Sequence, residues 1–214
     1  MKFFLDSANV EEITRVMSWG VVAGVTTNPS LVAREGKEFM PLLKQICSIV
    51  PGPVSAEVLS EGADDMVAEA RELAAVADNV VVKIPLTADG LAATRELSAQ
   101  GIKTNLTLAF SPVQAMLAAR SGATYASLFI GRLDDVGACG LSAVAETVRN
   151  FQAYAVGTRV IAASIRNVGH VEGAMSAGAD YATVPFRVLS DCLHHPLTDQ
   201  GIEKFKADWE KAMK

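Results

Sequence analysis

The chain has 214 residues, half of them hydrophobic, with 24 acidic against 19 basic side chains and a formal net charge of −5. That length supports one sizeable core, so residues 1–214 read as a single domain. The acidic balance and the lack of a basic block speak against a nucleic-acid partner, and no apolar run is long enough to suggest a membrane span.

The first residues, with Asp6 among them, do not have the apolar segment of a signal peptide. The three cysteines, Cys47, Cys139 and Cys192, are scattered and read as reduced thiols of a cytoplasmic protein. Short β-branched runs alternate with Ala/Leu/Glu-rich stretches of helical period, which predicts βαβ units and a parallel sheet. In chain order the strand candidates are residues 2–6, 22–26, 54–58, 80–84, 103–107, 125–129, 160–164 and 181–184. Helical stretches fall between them. Residues 64–77 put Met66, Val67, Ala70, Leu73 and Ala74 on one stripe, with charges opposite. Residues 111–121 have Pro112 in the first turn and Gly122 just past the end. Eight strands, each followed by a helix, predict an α/β fold of the closed (β/α)8, TIM-barrel type. A doubly wound open sheet is the alternative. Its dinucleotide-binding form loses support because no G-x-G-x-x-G follows the first strand. A further helix over 198–213 carries Ile202, Phe205 and Trp209 on one side, a stripe that needs either the barrel or another subunit to cover it.

In such a barrel the active site lies where the strands end, so polar residues late in each run are its candidates. They are Asp6, the segment Thr26 to Asn28, Glu57, Lys83, Asn105 with Thr107, Ser127 and Phe129 leading to Arg132, and Ser164 leading to Arg166. Alternation puts Thr26 with Asn28, Asn105 with Thr107, and Ser127 with Phe129 on shared faces. It does the same for Ser164 with Arg166 where strand geometry persists. Any one of these reads as an ordinary wet strand end; together they describe a lined pocket.

Lys83 stands out because it sits in the apolar run VVVKIP. At its reference pKa of ~10.4, about one lysine in 2,500 is neutral at pH 7. An apolar wall that lowers the pKa to ~7–8 would make a nucleophilic amine. A neutral amine attacks a ketone and gives a Schiff base, an electron sink for C–C cleavage. The alternatives are a lysine that snorkels its charged head to water and a lysine paired with a buried acid, for which Glu57, one strand away, is a candidate.

The motifs FLDSAN, GVTTNPSLV, VVVKIPLTADGL, KTNLTLAF, LFIGRLDD, AASIRN and FKADWEKAM run through nearly the whole chain in order. With them the sequence resembles the transaldolase family, in its short group that also holds fructose-6-phosphate aldolases. The resemblance implies a (β/α)8 barrel and Schiff-base chemistry on sugar phosphates without metal or organic cofactor. It implies Lys83 as the Schiff-base lysine, Asp6 as the acid/base at the C4 hydroxyl, and Glu57 with Thr107 as holders of a catalytic water. Asn28, Asn105 and Ser127 match residues that bind the dihydroxyacetone hydroxyls, and Arg132, Ser164 and Arg166 match the phosphate grip. Transaldolases of this group resemble the chain in carrying Glu at position 57, where the aldolases have Gln. The aldolases carry Tyr where Phe129 stands, so both positions favour transfer over free aldol cleavage. Leu128 departs from the proline of many transaldolases. The resemblance further implies a cytoplasmic homo-oligomer, a pentamer or decamer in which the C-terminal helix reaches a neighbour. A fructose-6-phosphate aldolase, or a barrel that binds sugar phosphate without turnover, are the competing readings. His194 and His195 are adjacent and cannot share a helix face as metal ligands do, and His170 reads as a surface or capping residue.

Overall fold

The computed structural model describes residues 1–213. Its eight strands are β1 (Lys2–Asp6), β2 (Val22–Thr26), β3 (Val54–Glu57), β4 (Val80–Pro85), β5 (Thr104–Ala109), β6 (Tyr125–Phe129), β7 (Arg159–Ala163) and β8 (Tyr181–Pro185). All pair in parallel and in sequence order, and β8 returns to β1, which closes the barrel. The helices are α1 (Val10–Met17), α2 (Pro29–Glu35), α3 (Phe39–Ile49), α4 (Ala63–Ala74), α5 (Ala88–Ala99), α6 (Pro112–Arg120), α7 (Ile130–Asp135), α8 (Gly140–Ala153), α9 (Val168–Ser176), α10 (Phe186–Asp191) and α11 (Pro196–Ala212). The connections after β2 and β6 each hold two helices, against the single helix per strand that the sequence pattern suggests, while β8 is followed by α10 and then by α11, the further helix expected over 198–213.

Capping fixes several strand-to-helix turns. Asn28, Thr87, Ser111 and Asn167 each accept a backbone N–H from the first turn of the helix that follows, satisfying a donor no helical carbonyl reaches. The stripe expected over 64–77 buries Met66, Val67, Ala70 and Leu73, but α4 stops at Ala74. The chain must turn there to reach Asn79, whose side-chain amide donates to the Cys47 carbonyl in the last turn of α3 and to the Val50 and Gly52 carbonyls of the α3–β3 connection.

Strand alternation sorts the core in two. One cluster packs between the sheet and the helices and holds Leu5, Val25, Val82, Ile84, Leu106 and Ala162, among others. The other fills the barrel floor and consists of Phe4, Val81, Tyr125 and Ile161, with Ala23 and Tyr181 against them. The rings of Phe4 and Tyr181 lie 4.6 Å apart, and those of Tyr125 and Tyr181 5.5 Å apart at 83°. Two residues further along these strands stand Asp6, Lys83, Ser127, Ala163 and Thr183, so the interior turns polar directly above an aromatic floor.

Helix α11 has no buried residue, and Phe205 and Trp209 are 73% and 66% exposed. Its apolar stripe does not cover the barrel. No helix among the described residues is long and apolar enough to cross a membrane. Of the cysteines, Cys47 is buried, which pushes its thiol up to about 11, while Cys139 and Cys192 are exposed.

Because Phe4 is 1% exposed and plugs a closed cylinder that cannot collapse around a void, Phe4→Ala is expected to cost about 3–5 kcal/mol in urea unfolding. A loss below about 1 kcal/mol would show that the floor relaxes freely.

Candidate active site

Register decides who meets whom at the barrel mouth. Glu57 of β3 pairs with Lys83 of β4, and Lys83 with Asn105 of β5. Side chains at matched positions of parallel strands point the same way, so the three stand in a row on the inner wall. Lys83 is 6% exposed. Its Nζ lies 2.8 Å from Glu57 Oε2 and donates to the Thr27 carbonyl at 3.1 Å.

The apolar wall expected around Lys83 is not made by its sequence neighbours. Val82 and Ile84 face the outer helices, and only Val81 shares the inner face, one layer below. The partner is Glu57, the acid that the sequence offered as the alternative, here with 14% of its side chain exposed. Lys83 is buried, inward-facing and ion-paired.

Asp6 ends β1 beside Thr26 of β2, whose hydroxyl donates to it at 3.1 Å and contacts the Thr183 hydroxyl at 2.5 Å. Burial raises the Asp6 pKa above its ordinary 3.8. The Lys83 ammonium and the Thr26 hydrogen bond pull against this, and the Glu57 carboxylate adds to the rise. Thr107 is fully buried, and its Oγ1 has no hydrogen-bond partner among the described residues. It is followed by Leu108 at φ 61°, where the β5–β6 register shifts. A branched side chain in that region is a sparsely populated backbone state, of the kind that collects at functional sites.

A cavity of about 540 Å³ opens above the row, with Asp6, Glu57, Lys83, Thr107, Phe129 and Arg132 in its wall. A recess of about 140 Å³ shares Asp6, Asn28, Lys83, Phe129 and Arg132 with it and adds Ser127 and Ser164. The Arg132 guanidinium sits 5.0 Å from the Phe129 ring centroid, within cation–π range. Asn28 lines both spaces, while its side-chain oxygen is engaged in capping α2 at 3.0 Å, which leaves its amide N–H groups for a ligand.

Two expected contacts stand elsewhere. Asn105 is fully buried and lines neither space. It donates to Ser55 at 3.2 Å and accepts from Ser127 at 2.8 Å, so it braces Ser127. Arg166 also lines neither. Strand geometry does not persist from Ser164 to Arg166, because β7 ends at Ala163 and Ser164 takes φ 57°. Arg166 instead pairs through both terminal nitrogens with Asp135, at 2.5 Å for Nη2, and holds that exposed carboxyl below the usual range. Gly131 permits this crossing: a Cβ there would lie 2.5 Å from both Arg166 Nε and the Ser164 carbonyl.

Asp134 accepts the Gly140 N–H at 3.0 Å and faces His170 Nε2 at 3.1 Å. Of the two readings of His170, surface or capping, the capping one holds: its Nδ1 accepts the Arg166 N–H at 3.3 Å ahead of α9, and with 14% of its side chain exposed it also braces the Asp134 loop. Thr183 and Ser55 were missed by sequence reasoning. The same parity applied to the eighth strand, YATVP, would have flagged Thr183, but Ser55 shows only once the register is known. Among the described residues no three His, Cys, Asp or Glu side chains group as a metal site.

Residues 3–214 match the model of the family described as Transaldolase/Fructose-6-phosphate aldolase. The chain belongs to that family. Relatives similar over the full length include a probable transaldolase of Desulfitobacterium hafniense, 57% identical over 211 residues and covering 99% of each chain. Another is probable transaldolase 1 of Listeria monocytogenes, 55% identical over 214 residues and 100% of both. A probable transaldolase of Methanococcus maripaludis is 56% identical, covering 100% of this chain and 99% of its own. Among solved structures, a thiamine phosphate pyrophosphorylase from Pyrococcus furiosus aligns with a TM-score of 0.57 over 86% of this chain and 85% of its own. At 17% identity that likeness speaks for the barrel alone.

The raised Asp6 pKa has a measurable consequence. The folded chain holds this proton more tightly than the unfolded chain, so the stability Asp6 contributes is complete below about 3.8 and is lost as pH rises through the folded value. Asp6→Asn removes that loss. Its melting temperature is expected to exceed the wild type's near about pH 7, with a gain that shrinks towards about pH 4. A gain that grows on acidification would contradict the raised value.

Proposed function

We propose that the chain is a transaldolase, moving a dihydroxyacetone unit from fructose 6-phosphate or sedoheptulose 7-phosphate to erythrose 4-phosphate or glyceraldehyde 3-phosphate, as in the non-oxidative pentose phosphate pathway. The observation that carries this reading is the Lys83–Glu57 contact at 2.8 Å at the foot of a cavity that also holds Asp6 and Arg132. An ammonium must lose a proton before it can attack, and Glu57 is placed to receive it. Lys83 Nζ then adds to the C2 carbonyl of the donor to give a carbinolamine. Loss of water, assisted by Glu57 and the otherwise unpartnered Thr107 hydroxyl through a bound water, leaves the iminium.

Asp6 takes the C4 hydroxyl proton as the C3–C4 bond breaks. Its electron pair flows into the iminium, and the aldose phosphate departs. The resulting enamine attacks the acceptor aldehyde, Asp6 returns the proton to the new hydroxyl, and hydrolysis frees Lys83. Burial of Asp6 favours the proton-abstracting half, since a carboxylate whose pKa is raised is a stronger base. Arg132 and Ser164 are placed for the sugar's phosphate. Arg166 joins them when it exchanges Asp135 for that phosphate. A carboxyl side chain at position 57 in place of an amide, and the hydroxyl-free ring of Phe129, favour transfer over release of free dihydroxyacetone. This chemistry asks for no metal and no organic cofactor.

Borohydride reduction in the presence of fructose 6-phosphate is expected to leave a dihydroxyacetone-sized mass increment on the peptide carrying Lys83, with none on Lys83→Ala. An increment on another lysine, or none on the wild type, overturns the mechanism. Free dihydroxyacetone formed without acceptor as fast as transfer would make the chain a fructose-6-phosphate aldolase.

The exposed stripe of α11 supports a homo-oligomer, a pentamer or decamer, in a cytoplasmic enzyme. Replacing Phe205 and Trp209 together by Ser is expected to reduce the particle mass in light scattering. An unchanged mass, or a wild type that is already monomeric, refutes this assembly.

A further inference from the structure

Thr183 is buried, polar and turned into the barrel, where it lines the recess beside Asp6. It belongs to β8, which neighbours β1 in the closed barrel, and Thr26 belongs to β2 on the other side of β1. Thr183 is level with Phe4 of β1, and Thr26 with Asp6. The two hydroxyls meet across β1 at 2.5 Å, above the aromatic floor. The position of protons fixes the direction of these bonds. An ionised carboxylate only accepts, and a hydroxyl has one proton to give. Thr26 gives its proton to Asp6 Oδ1 at 3.1 Å. The bond between the hydroxyls must then run from Thr183 to Thr26.

Hydrogen bonds in such a chain polarise one another, so a donor behind Thr26 strengthens its bond to the carboxylate. A bond made to the charged form favours that form. The charged groups that share cavity walls with Asp6 are Lys83 of β4, Glu57 of β3, Arg132 of α7 and Arg34 of α2. The strands that flank Asp6, β2 and β8, bring no charge to it, and Tyr181 of β8 lies in the floor below. What these two strands bring is the hydroxyl pair. We propose that Thr183 is a positioning residue: by donating to Thr26 Oγ1 it commits the Thr26 proton to the Asp6 carboxylate, so that the base meets the sugar hydroxyl in its ionised form. The role of Asp6 as that base rests on the transaldolase reading; the relay of hydroxyls does not. Two other roles compete. Thr183 could serve packing alone, or it could bond a substrate hydroxyl directly in the recess.

The test follows the Asp6 carboxyl against pH by infrared difference spectroscopy, with its band assigned by its loss in Asp6→Asn. Thr183→Val is expected to raise the midpoint by about half a pH unit, the effect of losing one cooperative donor behind a charge-assisted bond. Thr183→Ser keeps the hydroxyl and should restore the wild-type midpoint. In a Thr26→Val background, Thr183→Val should shift nothing further, because its influence runs through Thr26. Thr183→Ala takes the place of Thr183→Val where the valine variant does not fold. The acid limb of kcat/KM, for transfer from fructose 6-phosphate to glyceraldehyde 3-phosphate, should move upward with the midpoint. A midpoint that stays within about 0.2 unit of the wild type overturns the proposal, whether or not melting temperature or KM changes. An equal shift in the Thr26→Val background overturns it as well, as does an unmoved acid limb in a chain that transfers. A chain that transfers nothing but shows the infrared shift loses the transaldolase reading and keeps the relay.

Discussion

A closed barrel gives every strand one face towards the axis and one towards the helices, and the pairing of β3 with β4 fixes which residues stand level on the inner face. Glu57 and Lys83 are such a pair. Removing two charges from water is costly, and the attraction between them offsets that cost only when the contact is close and the remaining donors are used. At 2.8 Å, with the Thr27 carbonyl as second acceptor, the contact is close and two of the three ammonium donors are used. A one-residue slip of either strand would turn one charge into the helix-facing core and leave the other unmatched. The register of this pair ties the fold to the chemistry, because the arrangement that makes the charges tolerable also puts a base against an amine.

The layer below explains why the site is firm. Phe4, Tyr125 and Tyr181 close the cylinder under the polar row, so the strands cannot settle inwards when the mouth is occupied. Above them a brace runs from Ser127 through Asn105 to Ser55, and another from Thr183 through Thr26 to Asp6. Such second contacts hold first contacts within the narrow tolerance that catalysis requires. The irregular backbone lies at the rim. Leu108 and Ser164 take left-handed conformations where β5 and β7 meet the cavity, and there the side chains leave strict alternation.

Much of this was legible in the sequence. The alternation of β-branched runs with helical stretches carries the eight-strand order, and polar residues late in those runs mark Asp6, Glu57, Lys83, Thr107 and Arg132, all of which meet in one cavity. Parity holds where strands are regular, as for Lys83 and Ser127. It fails for Arg166 because Ser164 bends the chain, and no local pattern in AASIRN announces that bend. The doubled helices after β2 and β6 were hidden because short helices such as α2 and α7 show too few turns for a period to stand out.

By itself the sequence determined the period of each element, and with it the class of the fold and the identity of the polar residues that face inwards, since both follow from side-chain spacing along a single strand or helix. Tertiary structure decided the partnerships. Whether Lys83 is walled by valines or held by Glu57, whether Arg166 faces the cavity or pairs with Asp135, and whether Asn105 touches the cavity or braces Ser127 all depend on distances between elements far apart in the chain. Those distances are set by barrel closure and strand register, which no stretch of sequence carries alone.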